Sequence, residues 1–202
     1  MPWPLGIVDV ALAPTRPPLA ALRAAGLGFD HVDLSVPWRA SLCLPVGDRV
    51  SLVPLADHSC PAPPDEPGAW QRAVRAYRRT PGLRVEPWPG SILGSVAAVR
   101  AMADEVPGLR LLLDTGHVAS WGEDPAELAD LAHHVQLRQA REGVAQCADG
   151  DVDVPALLRR LHHVGYEGRL SVEYFDLPEY GWPLDDPLGH AVDLARRVRA
   201  AQ

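Results

Sequence analysis

The chain has 202 residues and a formal net charge of −7, from 26 acidic and 19 basic residues. A nucleic-acid surface needs a basic stripe that displaces counterions, so the charge balance excludes that partner class. No apolar run approaches the roughly 20 residues that span a bilayer, no secretory leader pattern opens the chain, and Cys43, Cys60 and Cys147 form no CxxC. The expectation is therefore a cytoplasmic, single-domain protein over residues 1–202, with neither a disulfide framework nor a membrane anchor.

Gly6 to Leu12 reads as the first strand. Thr15, Pro17 and Pro18 open a helix that Gly26 and Gly28 close. His31–Val36 is the second strand and Val50 to Leu55 the third, leading to His58. The proline-rich stretch 61–67 reads as a loop, with a helix over about residues 68–79 after it. A strand at Arg84–Trp88 follows, then a helix capped by Ser91 with the stripe Leu93, Val96, Val99 and Met102. The strand Arg110–Asp114, a short helix from Pro125, the strand 134–139, a helix from Pro155 stopped by Gly165, the strand Leu170–Phe175 and a helix from Pro187 complete the chain. Strands alternating with helices at this spacing predict right-handed βαβ units and a parallel sheet, hence an α/β fold of (β/α) barrel type. A barrel of this kind occupies at least roughly 200 residues, and the count reaches only about seven βα units. The shortage lies between residues 55 and 84.

The stretch Leu111-Leu112-Leu113-Asp114-Thr115-Gly116-His117 organises the rest. Three leucines in a row are a strand buried on both faces, and Asp114 stands where the apolar run stops. A carboxylate and an imidazole at the C-terminal end of a barrel strand stand where such folds keep their chemistry. The simpler reading is that Asp114 caps the next helix and His117 is a loop residue. Two further strands end comparably, at Glu86-Pro87-Trp88 and at Glu173-Tyr174-Phe175.

These motifs give the chain a family resemblance. It resembles the xylose isomerase-like TIM-barrel superfamily, of sugar phosphate isomerase/epimerase and AP endonuclease type. The resemblance rests on Val85-Glu86-Pro87, Asp114-Thr115-Gly116-His117, Val135-Gln136-Leu137-Arg138-Gln139, Gly150-Asp151-Val152-Asp153 with Gly165-Tyr166-Glu167-Gly168, and Ser171-Val172-Glu173-Tyr174. It implies a single divalent metal held by Glu86, Asp114, position 136 and Glu173, with His117 a ligand or a neighbour of the site. Position 136 departs from the family pattern, being Gln where the family has His. The resemblance also implies that Glu86 and Glu173 are paired acid/base groups working next to a carbonyl through an enediolate.

Converging carboxylates repel unless a cation lies between them. Oxygen-rich donor sets favour Mn²⁺ or Mg²⁺, and ligation by His117 moves the balance towards Zn²⁺ or Co²⁺. A degraded site at Gln136 would hold no metal. Trp38, Trp88, Trp121 and Trp182 follow strand ends and, with His58 and Arg138, are the expected substrate-binding set for a small polar molecule. With no Lys in the chain, Schiff-base chemistry is excluded. The function expected is a metal-dependent isomerase or epimerase of a small sugar, ketose or cyclitol. The alternatives are a lyase or dehydratase on a related polyol, and a non-catalytic sugar-binding accessory protein. An incomplete barrel leaves strand edges to be covered, so a homodimer is also expected.

Overall fold

The computed structural model describes residues 2–12, 17–34, 51–54, 58–59 and 63–202. Eight strands lie among them: β1 (Leu5–Val8), β2 (His31–Leu34), β3 (Ser51–Pro54), β4 (His58–Ser59), β5 (Arg84–Val85), β6 (Arg110–Asp114), β7 (Ala132–Leu137) and β8 (Arg169–Val172). The helices are α1 (Pro17–Gly26), α2 (Ala69–Arg79), α3 (Val96–Glu105), α4 (Thr115–Ser120), α5 (Val154–His163) and α6 (Pro187–Ala201). Strands and helices interleave as a TIM-barrel α/β fold requires. β4, a strand of only two residues, lies in the stretch between residues 55 and 84 where the sequence count fell short.

The chain divides into two compact units. The first comprises residues 1–56, 136–138 and 169–202. Its strands pair in parallel, β3 on β2, β2 on β1 and β1 on β8. Ile7, Val8, Val32, Leu170 and Val172 are fully buried, as are Ala191, Leu194 and Val198 on α6. β1 stops at Val8, earlier than expected, and Asp9–Leu12 form a 3-10 turn. A strand would place Ala11 and Leu12 on opposite faces, whereas the turn buries both. Arg23 of α1 then donates to the Leu12 carbonyl at 3.1 Å.

A polar layer crosses this unit's interior. His31 Nε2 lies 3.0 Å from Ser171 Oγ and 3.4 Å from Asp33 Oδ1, and all three side chains are inaccessible to solvent. Gly6 is in register with both His31 and Ser171. A Cβ at Gly6 would lie 2.3 Å from His31 Nε2, so only glycine leaves room for the ring.

The second unit comprises residues 57–135 and 139–168. β4, β5 and β6 pair in parallel, and Leu111, Leu112 and Leu113 are almost wholly buried, as a strand covered on both faces should be. Leu93, Val96, Val99 and Met102 are buried as the stripe predicted. The helix they serve starts later than expected. Ser91 Oγ donates to the Trp88 carbonyl at 2.8 Å and accepts from Leu93 N, making a turn. The cap is Ser95, whose Oγ accepts from Ala98 N at 3.1 Å. α3 and α5 are followed by Gly108 at φ 82° and Gly165 at φ 71°, left-handed positions that favour glycine.

Candidate metal centre and active site

Asp114 takes the capping role weighed for it, and His117 stands buried in a helix, not in a loop. β6 delivers Asp114 to the start of α4, where Oδ1 accepts from Gly116 N at 2.7 Å and from His117 N at 3.3 Å. This capping turns the other carboxylate oxygen towards His117, whose Nε2 lies 3.5 Å from Asp114 Oδ2. Nε2 is also 3.5 Å from Glu86 Oε1, presented just beyond β5. The Asp114 side chain is fully buried, that of His117 is 5% exposed and that of Glu86 16%.

One ligand atom from each of Glu86, Asp114 and His117 lies within 4.8 Å of the others. Two ligands on one ion, each about 2.1 Å from it, can be no more than ~4.2 Å apart. The separations of 3.5 Å fit that limit and exceed the ~2.8 Å of a charge-assisted hydrogen bond. Two carboxylates in so dry a place also need positive charge between them. The residues present therefore fit a divalent cation, with two oxygen donors and one imidazole nitrogen.

The loops around this triad are tied together. Glu123, just after α4, accepts from Val96 N at the start of α3 at 2.9 Å, and Gly143 N donates to the Ser120 carbonyl at 3.0 Å. Trp88 and Trp121 stand in these loops, half-buried, each with an indole Nε1 that is buried and lacks a hydrogen-bond partner among the described residues.

The first unit holds a second cluster, where β7 and β8 end. Gln136 Nε2 donates to Glu173 Oε1 at 3.4 Å, and Arg138 Nη1 lies 3.6 Å from Glu173 Oε2. Arg138 is 1% exposed, and its guanidinium carbon lies 5.3 Å from the Phe175 ring centre and 5.5 Å from that of Trp182. Phe175 and Trp182 stack on each other with centroids 5.1 Å apart. Arg138 and Trp182 are thus engaged with one another as well as standing where a substrate contact was expected. Glu173 is 12% exposed, with the Gln136 amide donating to one carboxylate oxygen and the Arg138 guanidinium 3.6 Å from the other.

Of the remaining expected contacts, Trp38 lies outside the described residues. His58 opens β4, and its side chain is outside them too. Sequence reasoning missed Phe175 and the His31–Asp33–Ser171 layer. The signal for the layer was His31-Val32-Asp33, two polar residues at the strand period that puts both on one face.

The sequence profile described as xylose isomerase-like TIM barrel matches residues 46–198, about three quarters of the chain. No functionally curated protein matches. Solved structures similar to this chain include a xylose isomerase-like TIM barrel/4-hydroxyphenylpyruvate dioxygenase fusion protein, at 19% identity and a TM-score of 0.69. The match covers 97% of this chain and 42% of the fusion protein, so the chain spans less than half of that relative. D-psicose 3-epimerase from Clostridium cellulolyticum H10, with D-tagatose, is similar at 12% identity and a TM-score of 0.71, covering 98% of each chain. A xylose isomerase-like TIM barrel protein from Mycobacterium smegmatis, in complex with magnesium, is similar at 14% identity and a TM-score of 0.69, covering 98% of this chain and 96% of the other.

Proposed function

The chain belongs to the xylose isomerase-like TIM barrel family, and from that premise we propose that it is an isomerase or epimerase of a small keto-sugar or cyclitol. The observation that carries this reading is the triad of Glu86, Asp114 and His117, whose ligand atoms lie within 4.8 Å of one another, His117 Nε2 being 3.5 Å from each carboxylate. Its two oxygens suit Mn²⁺ or Mg²⁺, a choice that the magnesium bound by the Mycobacterium smegmatis relative supports, while its imidazole nitrogen also admits Zn²⁺ or Co²⁺. When bound there, such an ion supplies polarisation of a carbonyl and its neighbouring hydroxyl.

The proton chemistry belongs to the chain's own side chains. Glu173, with the Gln136 amide on one oxygen and Arg138 3.6 Å from the other, takes the proton from the carbon next to the carbonyl. Inversion at that carbon needs a second group to return a proton, the role that the family resemblance implies for Glu86. The Trp88 and Trp121 indoles can only donate, so they suit hydroxyl or carbonyl oxygens of the substrate.

Incubation of the Mn²⁺-loaded protein with a panel of ketohexoses and ketopentoses, followed by chromatography, tests the reading. Formation of an epimer or aldose isomer, abolished by a chelator, is expected. Loss of water from the sugar would reassign the chain as a lyase. Unchanged sugars throughout would overturn the enzymatic reading.

A further inference from the structure

Gln136 stands where the family resemblance implies a histidine. It is 1% exposed and lies in the last turn of pleat of β7, one residue before the strand ends. Its amide has a defined orientation. The Nε2 end faces the Glu173 carboxylate at 3.4 Å, and the reverse placement would set a carbonyl oxygen against a carboxylate oxygen. The carbonyl Oε1 is consequently presented elsewhere, buried and with no hydrogen-bond partner among the described residues. A buried acceptor left unmet is destabilising, so a position that keeps one is poised for a donor that arrives from outside the protein.

The surroundings of Gln136 select the kind of donor. Arg138, itself buried, holds its guanidinium 3.6 Å from the Glu173 Oε2 atom, while the other Glu173 oxygen takes the Gln136 amide proton. The cluster of Glu173, Arg138 and Gln136 is therefore formally neutral. A divalent ion placed against it would meet a buried guanidinium of like charge and would have to displace both partners of the carboxylate. A neutral O–H meets neither obstacle. An amide carbonyl, uncharged and carrying two lone pairs, suits such a donor.

We propose that Gln136 is a specificity-determining residue whose side-chain carbonyl accepts a hydroxyl proton from the polyhydroxy substrate, and that it is not a metal ligand. This rests on the functional reading above and deepens it, because it makes one substrate hydroxyl obligatory beside Glu173. It separates this chain from the metal set that its family resemblance implies for position 136.

The test titrates D-tagatose and D-psicose into the Mn²⁺-loaded full chain by calorimetry, for the unaltered protein, Gln136→Met and Gln136→Leu. Mn²⁺ affinity is measured on the same three proteins from their melting temperatures. Gln136→Met keeps the length of the side chain and loses the strong acceptor, and it serves where Gln136→Leu fails to fold. The expected result is sugar binding at least about tenfold weaker in the variants, with Mn²⁺ affinity changed less than about threefold. Sugar affinity equal to that of the unaltered protein would overturn the proposal and leave the functional reading standing. A tenfold loss of Mn²⁺ affinity would also overturn it, by making Gln136 a ligand. Absence of sugar binding in the unaltered protein would overturn the functional reading and the proposal together.

Discussion

Asp114 carries two loads, one on each carboxylate oxygen, and a pair of substitutions separates them. Asp114→Ala removes the acceptor of Gly116 N and His117 N, at 2.7 and 3.3 Å. Both residues are buried, so bulk water is a poor substitute. Loss of a cap costs about 1 kcal/mol, and stranding buried N–H groups adds to it, for a total of roughly 2–4 kcal/mol. Asp114→Asn keeps an oxygen in the capping position and should cost less than ~1 kcal/mol. On the metal side both substitutions remove the carboxylate charge, so both should weaken binding of the ion. An ion present at about 100 times its Kd stabilises the native state by ~2.7 kcal/mol, and a hundredfold weaker site at the same concentration leaves ~0.4 kcal/mol. For a chain of this length the first figure is worth roughly 5–10 °C in melting temperature and the second under ~2 °C. Melting followed by circular dichroism, with and without Mn²⁺, reads both loads. Asp114→Asn should melt close to the unaltered protein without metal and gain little when Mn²⁺ is added. A full gain from Mn²⁺ in Asp114→Asn would show that the carboxylate only caps α4.

Gly6→Ala would bring a Cβ to 2.3–2.6 Å from three His31 ring atoms. It should cost about 3 kcal/mol or more in chemical denaturation, and much less in a His31→Ala background, because the clash and the broken polar layer are one event; equal costs in both backgrounds would refute this. Arg100 bonds Asp130 and the Glu127 carbonyl, holding the Asp130 carboxyl below its ordinary value. That contribution is present above the ordinary carboxylate pKa and is lost as pH falls through the depressed one. With both side chains about 40% exposed, Arg100→Ala should cost under ~1 kcal/mol at pH 7 and less at acid pH, where only the bond to the Glu127 carbonyl is left to lose, as pH-dependent denaturation would show. Burial pushes the Cys147 thiol up, so at pH 8 it should react with a disulfide reagent more slowly than a small free thiol; an equal or faster rate would contradict that.

The parallel barrel was legible in the sequence because its strands are short apolar runs punctuated by Gly and Pro, and Leu111–Leu113 behaves as such a run should. Boundaries were less legible where a local turn competes with a regular element. Ser91 and Ser95 are both competent caps, and the choice fell to Ser95 because Ser91 turns back on Trp88. β4 was invisible because two residues cannot display a period. In the candidate site, Asp114, His117 and Glu86 were read from their positions at strand ends, and the structure brings one ligand atom of each within 4.8 Å of the others. The Gln136 donation to Glu173 was not readable, since it depends on how two separate strands bring these side chains together and not on spacing along either strand.

The central claim is that Glu173 moves a proton next to a substrate carbonyl. Its most direct test is proton NMR of a ketohexose converted by the Mn²⁺-loaded protein in deuterated water, comparing the unaltered chain with Glu173→Gln. The substitution keeps the side chain's shape, so the fold should survive it. The account predicts loss of the signal from the hydrogen on the carbon beside the carbonyl, through replacement by deuterium, and no such loss with Glu173→Gln. Deuterium entering equally fast with Glu173→Gln, or epimerisation without any deuterium uptake, would contradict it.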